Sequence, residues 1–226
     1  MEKSMTVPYY IDLKKYSLQK FKENLSSREM IPSRKILKED IDARFDALEQ
    51  AGIANLKELT SALKTKSEIE EFSNRTGLST QYLTVIGREA RSYLPSPIRL
   101  DTFPNTQEST LEKLEAVGIK NTRHLFTAAQ ERTARKSLAE KAGVPIESLN
   151  ELVGLSDLAR LYGVGPVFAR MIYDVGIHSI KEFIQYTAQD FIDIYEEQTQ
   201  QKADFGVADI EFSLHLGKIL DIAADI

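Results

Sequence analysis

The chain of 226 residues contains no cysteine and only three histidines. The first absence excludes disulfides, thiolate nucleophiles and zinc sites with sulfur ligands, and leaves a reducing cytoplasm as the expected compartment. His124, His178 and His215 are scattered, with no carboxylates at ligand spacing around them. Each is read as a surface or capping residue, and no metal or cofactor is expected. A Walker loop, a dinucleotide-binding glycine fingerprint and a nucleophile elbow are all missing. Acidic neighbours such as Glu70-Glu71 and Glu196-Glu197 fall in polar helical stretches, where adjacent side chains point apart. The expectation is therefore a protein that is not an enzyme. The N-terminus has no apolar signal core, and no run approaches the roughly 18 apolar residues of a membrane span, so membrane insertion is not expected either. No alternating run of β-branched residues reaches strand length, which makes the expected fold all-α.

What is present is enough apolar material for a core, 42% of residues, and an uneven charge. Residues 1–100 hold 17 Lys+Arg against 14 Asp+Glu, whereas residues 101–226 hold 12 against 20. Nucleic-acid affinity comes largely from neutralising phosphates, so an acidic second half weighs towards a protein partner. A short amphipathic helix opens the chain, with Ser17 as N-cap and Leu18, Phe21 and Leu25 on one face. After Pro32, Ser33 is placed to cap a helix running towards Gly52, and Arg28, Arg34, Lys35 and Lys38 cluster around this start.

One frame recurs three times, ending in Gly52-Ile53, Gly118-Ile119 and Gly176-Ile177. If each glycine is the left-handed residue beyond a helix, the isoleucine that follows meets Leu48, Leu114 or Ile172, all apolar as a Schellman ending requires. Asn55, Asn121 and Ser179 follow as N-caps, with Glu58 and Glu182 completing capping boxes and His124 standing at the same position in the middle copy. A second glycine follows each frame, at Gly77-Leu78, Gly143-Val144 and Gly206-Val207, and is read as a second helix ending. The expected architecture is one or more compact helical bundles made of three related helix-turn-helix units.

Three prolines, Pro95, Pro97 and Pro104, exclude continuous helix over 95–106, which is read as a linker. The division expected is an N-terminal extension over 1–32, a first unit over 33–94, the linker over 95–106, and two further units over 107–226. The last two are joined through Leu161-Tyr162-Gly163-Val164-Gly165-Pro166. There Gly163 is placed as the left-handed residue ending one helix, with Val164 as its apolar anchor, while Gly165 caps the next helix and Pro166 occupies its first position. Glycines without Cβ atoms let another backbone approach, and amides near Gly165 and Val167 lie at the positive end of a helix dipole, which suits a phosphate oxygen. Arg170, one turn on, adds a charge. The aromatics of 182–195 sit at helical spacing beside aliphatics and are read as core, in two helices of which Thr187 caps the second.

At 161–170 the sequence resembles the helix-hairpin-helix superfamily, whose hairpins grip the DNA backbone without reading bases. From Leu138 through Gly143-Val144, Leu149, Leu152, Asp157-Leu158 and Gly163-Val164-Gly165 to Gly176-Ile177 it more closely resembles a bacterial family of domains of unknown function, family 4332. That likeness is clear over 111–186 and weaker back to about residue 33. The superfamily resemblance implies sequence-independent contact with DNA or another nucleic acid through the phosphate backbone. The expected contact residues are Gly163, Val164, Gly165, Val167 and Arg170, with Arg34 and Lys35 of the basic cluster as expected helpers. The sequence departs from the pattern in having Val167 where nucleic-acid-binding hairpins often carry Lys or Arg, and the two earlier copies lack the double glycine. The alternative is a protein-interaction or scaffold module in which the hairpin only shapes the bundle.

Overall fold

A computed structural model describes residues 6–27, 30 and 32–226. Among these, every regular element is helical, and the only extended pairings are two isolated antiparallel bridges, Ser17 with Asn55 and Arg99 with Asn121. The chain divides into two compact units. One is Asp12–Tyr93; the other joins Met1–Ile11, described from Thr6 on, to Leu94–Ile226.

The first unit holds α1 (Leu18–Ser27), α2 (Ile41–Gln50), α3 (Leu56–Ala62), α4 (Lys66–Thr76) and α5 (Thr80–Arg91). Ser17 caps α1 through the Lys20 amide, and the face of Leu18, Phe21 and Leu25 is buried as its spacing requires. Phe21 packs on Phe45 and Tyr93 at 6.1 and 5.7 Å between ring centres, and Arg44 lies 4.6 Å from the ring centre of buried Tyr82. The expected helix from Ser33 to Gly52 is not continuous. Pro32–Leu37 forms a 3-10 helix that buries Leu37, and Asp40 then takes a left-handed conformation (φ 45°) before α2 begins. Asp is among the few residues that tolerate this, and its turn breaks the helical register. Ser33 lies inside the 3-10 segment, and Arg28 of the basic cluster falls outside the described residues.

The second unit holds α6 (Glu108–Ala116), α7 (Thr122–Ala129), α8 (Arg132–Ala142), α9 (Ile146–Leu158), α10 (Pro166–Asp174), α11 (Ile180–Phe183), α12 (Ala188–Thr199) and α13 (Val207–Ile219). Its N-terminal segment is held in by Tyr9, whose phenol shares a 2.7 Å hydrogen bond with Thr122, and by Val7, which pairs both its main-chain groups with Gln130. Burial pushes the Tyr9 hydroxyl up to about 12. Within the proline-rich stretch Leu100–Thr102 makes a 3-10 turn, and Leu100 and Phe103 are buried.

Gly52, Gly118 and Gly176 all adopt positive φ, at 88, 90 and 86°. The following isoleucine amides donate to Leu48, Leu114 and Ile172 at 3.1, 2.9 and 3.3 Å, and the glycine amides to the carbonyls of Glu49, Glu115 and Tyr173. Both bonds of a Schellman ending are thus made in all three places. Asn55, Asn121 and Ser179 each accept the amide three residues on. The boxes differ from expectation by one residue: Glu58 and Glu182 accept from Ala54 and His178, the residues before the caps. Gly77 and Gly143 end α4 and α8 with left-handed geometry, burying Leu78 and Val144. Gly206 does not end a helix. It is extended (φ −109°) and caps α13, its amide bonded to Asp209, while α12 ends at left-handed Gln200 and Val207 is left exposed.

A β-carbon at Gly118 would meet nothing within 4 Å, so its requirement for glycine is purely conformational. Gly118→Ala is expected to lower unfolding free energy by about 1 kcal/mol, measured by denaturant titration against Lys120→Ala as a surface control.

Candidate functional site

The helical run leading to the hairpin stops earlier than its sequence suggests. α9 ends at Leu158, and the amides of Arg160 and Leu161 bond back only three residues, to Asp157 and Leu158. Gly163 is therefore not the residue next to a helix end. It sits at the third position of a separate turn closed by the Val164 amide on the Leu161 carbonyl at 3.2 Å, where its φ of 83° is the value a type II turn needs.

At the early stop lies a buried charge pair that was not singled out from the sequence. Asp157 and Arg160 have side chains 3% and 0% exposed, 2.7 Å apart. The second carboxylate oxygen of Asp157 accepts the Ile180 amide at 2.8 Å, fixing the start of α11. Arg160 donates to the carbonyls of Tyr9, Pro8 and Asp221, and its guanidinium carbon lies 4.2 Å from the Phe126 ring centre. The legible signal was an Asp and an Arg three residues apart within an otherwise uncharged stretch from Leu152 to Leu161.

Past the turn, Val164 is buried and Gly165 is extended (φ −74°, ψ 178°), opening α10 with Pro166 at its first position. No side chain caps this helix, so the amides of Val167 and Phe168 have neither a cap nor an intrahelical acceptor. A β-carbon at Gly165 would meet nothing within 4 Å, and at Gly163 only the Ser213 hydroxyl at 3.9 Å. That same hydroxyl donates to the Tyr162 carbonyl, and Tyr162 packs edge-on against Phe212, so α13 backs the turn. Val167 is 60% exposed. Phe168 turns inward to Phe191 and Phe205.

Arg170 is buried. It pairs with Glu151 at 2.5 Å and Asp174 at 3.4 Å, so its charge is engaged inside the fold. Arg34 and Lys35 belong to the other unit, where Arg34 pairs with fully buried Glu89 and Lys35 is exposed. Gly163, Val164, Gly165, Val167 and Arg170 are thus brought together in one turn, with main-chain groups rather than cations outermost. Among the described residues no group of His, Asp and Glu could hold a metal ion, and no helix is long and apolar enough to cross a membrane.

Residues 104–207 match a family described as a domain of unknown function, DUF4332. The DUF4332 match contains the hairpin and both Gly-Ile endings of the second unit, and it does not extend back towards residue 33. No curated protein and no solved structure matches the chain.

The two hairpin glycines are expected to separate on mutation. Gly163→Ala should cost about 1 kcal/mol of stability, while Gly165→Ala should be neutral or stabilising by up to about 1 kcal/mol, both read from denaturant midpoints. Asp157→Ala should be far more costly, about 3–5 kcal/mol, because it strands the Arg160 charge and the Ile180 amide. A loss under about 1 kcal/mol would show that water replaces the carboxylate.

Proposed function

We propose that this is a non-enzymatic helix-hairpin-helix protein that docks on the phosphate backbone of DNA or another nucleic acid without reading its bases. The observation that carries the reading is Gly165: neither its dihedral angles nor its neighbours require a glycine, yet it opens a helix whose first free amides lack any cap. An approaching phosphate oxygen would find those donors at the positive end of the α10 dipole, with no side chain in the way. In this reading Gly163, Val164, Gly165 and Val167 form the contact, and Arg170 positions the helix through Glu151. Lys35, which belongs to the other unit, is exposed. The three Schellman endings with their polar caps support a chain built from three related helix-turn-helix units, and the lack of cysteine supports a cytoplasmic setting.

The second reading, a protein-interaction module, is favoured by Val167, 60% exposed where a backbone-gripping hairpin would carry a cation, and by the acidic second half. Gel shift and fluorescence anisotropy with a labelled duplex at low salt separate the two. Binding should weaken about tenfold in Gly165→Asp, and log Kd against log salt should have a slope of only about 1 to 2, since few phosphates are neutralised. An absence of any low-salt binding by the unmodified chain overturns the nucleic-acid reading in favour of the protein one.

A further inference from the structure

A cleft of about 420 Å³ lies in the second unit between α8, the N-terminal part of α9, Tyr173 and His178, and is bounded also by Asp225. This is within the usual size range of small-molecule sites. One wall depends on a close approach. A β-carbon at Gly154 would lie 2.5 Å from the His178 carbonyl oxygen and 2.8 Å from the Tyr173 ring, so only a glycine lets α9 lie flat against them. The Tyr173 and His178 rings, 4.3 Å apart between centres, make a continuous aromatic surface there.

The lining also carries cations. Arg132, Arg135 and Lys136 all line the cleft from the first turns of α8, with Asp225 and Ile226 beside them. This reverses the sign of a half that carries 12 Lys+Arg against 20 Asp+Glu. Arg135 is buried and donates to the Asp225 carbonyl at 2.5 Å, while the Asp225 carboxylate accepts weakly from the Arg132 amide at 3.4 Å. Among the described residues the side chains of Arg132 and Lys136 form no ion pair. The Asp225 carboxylate bonds to that main-chain amide, and among the described residues it makes no ion pair with any of the three side-chain cations. Two guanidinium groups, one of them also bonded to a carbonyl, and an ammonium lining one volume match a ligand of higher charge with several acceptor oxygens.

We propose that this cleft binds a small phosphate-bearing molecule, its phosphate held by Arg132, Arg135 and Lys136 and its remainder resting on the Tyr173 and His178 wall. None of the hairpin residues takes part, so the site stands or falls independently of nucleic-acid docking.

The test is calorimetric titration and thermal unfolding of the full chain with inorganic pyrophosphate, ionic strength being matched with sodium chloride. Saturable binding and a raised midpoint are expected, with Kd weakened at least about tenfold in the Arg132→Ala/Lys136→Ala double variant and unchanged in Gly165→Asp. Both substituted residues are exposed, so the unliganded midpoint should hardly move. Should the double variant lose cooperative unfolding, Lys136→Glu alone carries the same expectation. No saturable response beyond that of sodium chloride, or unchanged affinity in the variants, overturns the proposal.

Discussion

The second unit depends on a full positive charge placed where water does not reach. Arg160 is tolerable there only because Asp157 neutralises it, three carbonyls accept from it and the Phe126 ring faces it. A buried pair of this kind contributes little net stability compared with apolar residues of equal volume, but it is intolerant of misplacement. Its partners come from the N-terminal segment, α9, the start of α11 and the residues after α13. All of them are satisfied together here, so the pair ties these segments to one another.

The same pair clarifies how three similar helix starts are secured by different means. The amide just after each cap belongs to Leu56, Thr122 or Ile180. The first donates to the Tyr16 carbonyl and the second to the Ile98 carbonyl, each from an extended segment lying alongside. The third donates to the Asp157 carboxylate. A side-chain oxygen thus replaces an extended backbone segment, as the accounting of buried amides demands. The chemistry needed at the position is constant, and its source is not.

Charge placement explains why the hairpin presents main chain to solvent. Arg170 could have faced outward one turn along α10, but Glu151 on α9 draws it between the two helices. Tyr173 beside it has its hydroxyl pushed up, by burial first and by the Glu151 charge next. Cations are instead gathered on α8, where the first turns offer Arg132, Arg135 and Lys136 to one cleft. Within this unit, backbone donors and side-chain cations therefore serve separate surfaces.

Local chemistry was readable in the residues. Left-handed glycines followed by isoleucine, polar caps three residues before an acceptable amide, and apolar faces at helical spacing are short-range constraints, satisfied within about six residues of chain. For that reason Gly52, Gly118 and Gly176, the caps Asn55, Asn121, Ser179 and Thr187, and the all-helical class could be placed from sequence alone. Tertiary structure decided the rest, because it depended on partners distant in sequence. Asp40 breaks the helix expected to run from Ser33 towards Gly52, its left-handed turn following a 3-10 segment that buries Leu37. Gly206 caps where its resemblance to Gly77 and Gly143 implied an ending, since α12 had already turned at Gln200. Arg170 points inward because Glu151, nineteen residues earlier, lies beside it, and the burial of Arg160 rests on residues up to 152 positions away. Spacing along a helix determines which face a residue occupies; only the packed chain determines what waits on that face.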